Sequence, residues 1–278
     1  MNASLEEQLE VGLRGNLGSL SIVVSEALAI LNRSDVDLSA LQQGLAKDQG
    51  LTARILRIAN SPFYGQARKI ASLREATVVL GVHTIRNVVT TAGVMALFSG
   101  EGASGFNRLT FWQHAIGTGV AAKVIARRCG KDGETAFTAG LLHDVGKLVI
   151  DTLLPDEFQQ ALQLARERGC LLLEAEHEVL GFDHAYAGRM AAERWRLPDA
   201  VTQAVCDHHR QARAENGFAG LVHVGDILCR SLDIGDGGDE SIPALDPQTW
   251  QRINLQWTDA DSLLKEIDEL NRQVNLFF

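Results

Sequence analysis

Long helix-favouring segments constrain this chain more than any other feature of it. Ala, Leu, Glu, Gln and Arg dominate the stretches between breakers, only 5 prolines interrupt 278 residues, and short β-branched runs bounded by turn residues are few. Propensity summed over such windows favours helix, so the chain is expected to be all-α. Hydrophobic residues make up 46%, which at this length supplies one large core or two modest ones.

Caps and breakers divide the chain. A helix is expected over 17–31, with Ile22, Ala29 and Ile30 among its apolar positions. Asp37 can cap a second helix running to about Lys47, where Gly50 breaks it. Leu51, Ile55, Leu56 and Ile58 mark a third, halted at Ser61-Pro62 because proline clashes with the preceding turn. Ser72-Leu73-Arg74-Glu75 is a capping-box pattern, and Leu80-Gly81-Val82 breaks direction before a longer helix ending near Phe98. The Gly/Ser-rich stretch 99–104 is the best internal boundary. Beyond it, Asn107 can cap a helix to about Arg128, closed by Gly130. Further helices are expected over 134–150, 158–168, 171–180, 184–195, 199–208 and 217–232, then a Gly/Asp loop at 233–239 and an amphipathic helix near 259–274. The expected organisation is an N-terminal helical subdomain (1–104) packed on a second helical subdomain (105–234), followed by a loop and C-terminal helix (235–278).

Charge and cysteine usage exclude several classes. The net charge is −9, and no cluster of five Lys/Arg interrupts the acidity, so direct nucleic-acid binding is not expected. The acidic start Ser4-Leu5-Glu6-Glu7 lacks the basic and apolar regions of a signal peptide. The longest apolar stretch, 78–98, contains His83, Arg86 and Asn87, which fits a buried helix pair rather than a membrane span. A cytoplasmic protein without membrane association is the expectation. Cys129, Cys170, Cys206 and Cys229 form no Cys-x-x-Cys pair and read as small buried hydrophobes.

The chemistry concentrates in histidine and aspartate. Seven of the 8 histidines lie beyond residue 104. His114, the pair His143-Asp144, His184, the pair His208-His209 and Asp226 fall on five predicted helices. Such dispersal suits a bundle-core metal site, whose ligands converge from facing helices. A mixed imidazole–carboxylate set suits manganese, iron, zinc or magnesium and is not a thiolate zinc site. The apolar flanks Leu141-Leu142 and Val145 imply that His143-Asp144 is buried, which is costly unless the pair is neutralised or metal-bound. Lys147, one turn on, shares their face; it serves either as a favourable helix charge or as a grip on a phosphate oxygen. His83, His177 and His223 sit in no pattern and read as ordinary hydrogen-bonded residues.

Leu141-Leu142-His143-Asp144-Val145-Gly146-Lys147 resembles the motif of the HD phosphohydrolase superfamily, and His114, His143-Asp144 and Asp226 resemble its minimal ligand set. The upstream half narrows the resemblance to the HDOD family. Asn60-Ser61-Pro62-Phe63-Tyr64-Gly65 is similar to its Asn-Ser-x-x-Tyr segment. Ile70-Ala71-Ser72-Leu73-Arg74-Glu75-Ala76 with Leu80-Gly81 is similar to its next motif, and Gly181-Phe182-Asp183-His184 through Glu193-Arg194-Trp195-Arg196-Leu197-Pro198 to a third. The resemblance spans about 15–232 and implies an HD-type helical bundle in the second subdomain. It also implies one or two divalent ions: His114, His143, Asp144 and Asp226 around the first, His184, His208 and His209 completing a second, with Asp144 bridging. Asp144 and Lys147 would be the catalytic groups if the family's hydrolytic chemistry is retained.

The sequence departs from the superfamily's enzymes at two places. Cyclic-dinucleotide phosphodiesterases follow the double histidine with Glu and a Gly-Tyr-Pro segment, whereas Arg210-Gln211-Ala212-Arg213 follows it here. Alarmone hydrolases place Glu-Asp shortly after the His-Asp pair, where this chain has Gly146-Lys147-Leu148. Three readings follow: a regulatory output module with a structural or sensory metal, reporting to signalling proteins in trans; a metal-dependent phosphohydrolase on a nucleotide or other phosphate-containing ligand; and a metal-free helical scaffold.

Overall fold

A computed structural model describes residues 4–15, 17, 19–33, 35–61, 64, 68–100, 102–210, 217–239, 241–245 and 247–275. Among these the chain is all-α, as expected, with fifteen α-helices and no strand. Cα proximity divides it into two compact units. One comprises 19–99 and 269–278, the other 1–18 and 100–268.

The smaller unit holds α2 (Ile22–Leu31), α3 (Leu38–Leu45), α4 (Gln49–Ala59) and α5 (Leu73–Leu97). Its helix starts follow the caps. Ser21 Oγ accepts from Val24 N, Asp37 from Ser39 N and Ala40 N, Asp48 from Leu51 N, and Ser72 from Glu75 N. Because Ser21 takes the capping position, α2 begins at Ile22 rather than at residue 17. The Glu75 carboxylate accepts from Ala71 N, one residue outside the expected box. Gly81 has φ +82° and ψ 159°, which bends α5 where the sequence predicts a change of direction. Asn60 closes the next loop: its Nδ2 donates to Leu56 O and Ile70 O, and its Oδ1 accepts from Ile70 N at 2.7 Å. Pro62, Phe63 and Gly65 of that motif lie outside the described residues. α5 is long and apolar enough to cross a membrane, with mean hydropathy 1.3, but 56% of that window is buried. It is the spine of this unit, contacted by α2, α3 and α4.

The larger unit contains α1 (Leu5–Arg14), α6 (Arg108–Arg128), α7 (Gly133–Leu142), α8 (Val145–Leu153), α9 (Pro155–Arg168), α10 (Leu172–Leu180), α11 (His184–Arg194), α12 (Asp199–Asp207), α13 (Ala219–Ser231) and α14 (Pro247–Arg252). The last helix, α15 (Ala260–Asn275), contributes residues up to 268 to it. The first eighteen residues therefore cluster with this unit and not with the subdomain that follows them in sequence. The cause is physical: Leu9 and Leu13 of α1 are buried, α1 meets α8 and α11, and Trp195 Nε1 donates to Leu17 O at 2.9 Å. Residues 235–268 likewise belong to the unit instead of forming a separate tail. Neither α1 nor α14 was expected, although Ser4 and Glu7 form a complete capping box. The single helix expected over 134–150 is two, α7 and α8, broken at His143-Asp144.

Candidate metal centre

Six helices of the larger unit deliver the predicted residues to one place. His114 lies on α6, His143 closes α7, and Asp144 opens α8 with φ −97° and ψ 11°, outside the helical well. His184 is the first residue of α11, His208 closes α12 with His209 after it, and Asp226 lies on α13. The approach of α8 to α11 depends on Gly146. A Cβ there would overlap the His184 carbonyl oxygen and lie 2.6 Å from Gly188 N.

Asp144 is the hub. Its Oδ2 is 3.3 Å from His143 Nε2 and 3.9 Å from His114 Nε2. Its Oδ1 is 3.1 Å from His184 Nε2 and 3.4 Å from His208 Nε2. Asp226 Oδ1 stands 3.0 Å from His114 Nε2 and 4.0 Å from His143 Nε2, and His209 Nε2 lies 2.8 Å from His184 Nε2. Two donor sets thus share Asp144: one with His114 and His143, one with His184, His208 and His209, the donor atoms of each within 4.8 Å of one another. His114, His143, Asp144, Lys147, His184, His208 and Asp226 are all at most 2% exposed; His209 is half-buried.

Hydrogen bonding behind the rings fixes which nitrogen faces inward. His143 Nδ1 lies 2.6 Å from Gly140 O and His208 Nδ1 2.9 Å from Val205 O. A carbonyl only accepts, so each Nδ1 carries the proton and each Nε2 presents a lone pair to the centre. The Nε2 atoms of His114, His143 and His208 and the Oδ1 of Asp144 have no hydrogen-bond partner. The nearby oxygens approach them without hydrogen-bond direction. Each such buried orphan costs roughly 1–3 kcal/mol when nothing binds it. Converging lone pairs of this kind are what a cation satisfies, and the imidazole and carboxylate donors fit a divalent ion.

The electrostatics agree. Burial pushes the Asp144 carboxyl up, but His143, Lys147 and His184 outweigh it and hold the group well below the usual carboxylate range. Asp226 is held low in the same way by Arg230 and His114 against its burial. Burial lowers His114, takes His208 down to about 4, and puts His209 well below its ordinary value. These rings are therefore neutral at pH 7, the form that ligates. His184 goes the other way: burial is outweighed by Glu176 and Asp144, which raise it to about 9. An arriving cation would displace that proton.

Lys147 Nζ lies 2.6 Å from Asp144 Oδ2 and donates to Gly237 O at 2.8 Å. Three residues outside the sequence motifs complete the surroundings. Glu176 touches His184. Arg230 Nε donates to Asp226 Oδ1 at 2.9 Å, and its Nη1 donates to Asp239 Oδ1 at 2.9 Å. The four-residue spacing of Asp226 and Arg230 on one helix was a usable signal. Glu176 and Asp239 offered none, because both act from outside the motif segments.

The HDOD domain model matches residues 17–211. An HDOD domain protein of unknown function from Geobacter sulfurreducens has the same fold, with TM-score 0.79, 28% identity and 99% of each chain covered. A Shewanella amazonensis SB2B protein with a provisional phosphohydrolase name gives TM-score 0.73 at 25% identity over 98% of each chain. An uncharacterized Treponema pallidum protein is 24% identical over 77% of this chain, and ribonuclease Y of Opitutus terrae is 29% identical over 41% of it. This chain spans 42% of the Treponema protein's length and 17% of the ribonuclease's. With that family model spanning both units and a full-length structural match beside it, the chain belongs to the HDOD domain family.

Proposed function

We propose that this protein is a signal-transduction output module whose larger unit holds one or two divalent ions, manganese, iron, magnesium or zinc, as a structural or sensing element. It reports through signalling proteins acting in trans, in the cytoplasm, with no direct nucleic-acid or membrane contact. The observation that supports this reading is enclosure. Every donor but His209 is buried, and the Lys147 amine is already shared between Asp144 and the Gly237 carbonyl. A catalytic metal site keeps a coordination position open to substrate, whereas a structural one is closed. Bound there, an ion would offset the two buried carboxylates and tie six helices together.

One feature favours a second reading, hydrolysis of a nucleotide or other phosphoester. His209 is half-buried and 2.8 Å from His184, so the His184–His208–His209 side is the part of the centre nearest solvent. A divalent ion there supplies Lewis acidity and activates water. Asp144 and Lys147 would then orient and neutralise the phosphate-containing ligand.

Elemental analysis of the purified protein decides the shared premise: bound divalent metal is expected, with Asp144→Ala and Asp144→Asn retaining none. Unchanged metal content in both variants would reject the centre. A phosphodiesterase and nucleotidase panel with manganese or magnesium separates the two readings. The regulatory reading expects wild type and Asp144→Asn to give the same background, and turnover lost in the variant would favour hydrolysis.

A further inference from the structure

Glu176 is buried to 0% exposure on α10, outside every motif segment, and both of its shortest contacts go to one residue. Its Oε2 accepts from His184 N at 2.8 Å and faces His184 Nδ1 at 2.6 Å. The backbone contact follows from helix geometry. Asp183 caps α11, accepting from Tyr186 N at 2.7 Å, which makes His184 the first helical residue, with an N–H that no carbonyl of its own helix can take. Glu176 supplies that acceptor and holds the ring with the same oxygen. Its other oxygen, Oε1, is buried without a partner.

The three rings fixed from behind are not equivalent. His143 and His208 are held by neutral backbone carbonyls, His184 by a carboxylate. A carboxylate behind an imidazole sets its tautomer and makes the opposite nitrogen a stronger donor. α10 is itself held, since Asp239 accepts from Leu172 N at 3.1 Å and from Arg230, the residue that grips Asp226. We infer that Glu176 is the positioning residue of the His184 subsite, aiming His184 Nε2 at the ion shared with Asp144, His208 and His209 and strengthening it as a donor. This rests on the metal-centre reading above and extends it.

Cobalt(II) titration of the apo-protein, followed by visible absorption, tests the assignment on wild type, Glu176→Gln and Glu176→Asp. Gln keeps the size and an acceptor but removes the charge; Asp keeps the charge and withdraws it from reach. Both are expected to weaken cobalt uptake roughly 10–100-fold, the usual effect of losing such a partner, and to shift the ligand-field bands, while thermal melting in EDTA shows that the fold persists. If Glu176→Gln does not fold, Glu176→Asp carries the comparison. Wild-type affinity and an unshifted spectrum in a folded variant would make Glu176 a buried structural acid and overturn the inference alone. A wild-type protein that takes up no cobalt would overturn the metal centre and this inference together.

Discussion

Lys123 illustrates how a single buried charge registers in this fold. It lies on α6, 3% exposed, with its amine 2.7 Å from Glu134 Oε1. Burial lowers its pKa from 10.5 to about 8, the Glu134 carboxylate only partly compensating. Between those two values the unfolded chain binds more protons than the folded one, so this residue's contribution to stability rises with pH. Below about 8 the desolvation penalty is fully present; by the unfolded value it is relieved. At about 1.4 kcal/mol per pKa unit, denaturant unfolding of wild type relative to Lys123→Met is expected to gain on the order of 3 kcal/mol between pH 8 and 10.5. A flat difference across that range would show the amine is not desolvated. The candidate residues were legible at this scale because their chemistry is written in their side chains: His114, His143, Asp144, His184, His208, His209 and Asp226 stand out by type and position, and the fold brings them close together. Glu176 was not, because glutamate on a helix usually faces water and only the fold reveals that this one faces an imidazole.

Among the elements, α8 and α11 come close together at Gly146. Gly146→Ala is expected to force the two backbones apart, costing about 3 kcal/mol or more and lowering metal content with it. Wild-type melting and metal loading in this variant would contradict the packing described. Asn60→Ala tests the other unit: three hydrogen bonds are lost and the Ile70 backbone groups left behind, an expected cost of about 1–3 kcal/mol with metal content unchanged. A drop in bound metal would mean that this asparagine matters to the centre. Some helix starts were legible from a capping side chain ahead of the helix, as with Asp37, Ser72 and Asn107, while the caps Ser4 and Ser21 were missed. The break between α7 and α8 was not, since Leu141-Leu142-His143-Asp144-Val145 carries no breaker and helix propensity runs straight through it. Tertiary packing, not local preference, interrupts the helix there and turns Asp144 toward five imidazoles.

For the molecule as a whole, metal occupancy should appear as stability. An ion that binds only the folded form adds about 2.7 kcal/mol at a hundredfold excess over its Kd. Chelation is therefore expected to lower the melting temperature of wild type and leave Asp144→Asn unmoved; an equal response of both would divorce the ion from folding. Cα proximity groups residues 1–18 with 100–268, a grouping that the order of segments in the sequence does not reveal. Chain order is a poor guide when an amphipathic helix finds its apolar partner far along the sequence.

The segment 233–239 has a consequence of its own. Its Gly- and Asp-rich composition is that of a spacer, yet Ile234, Gly237 and Gly238 are buried, Asp236 N donates to Thr110 O, and the Gly237 carbonyl holds Lys147. It acts as a stopper rather than a tether. The amide hydrogens of Ile234 and Asp236, bonded to Cys229 O and Thr110 O, should exchange slowly with deuterated solvent, and an insertion there would open the interior to water where the composition alone would suggest no harm.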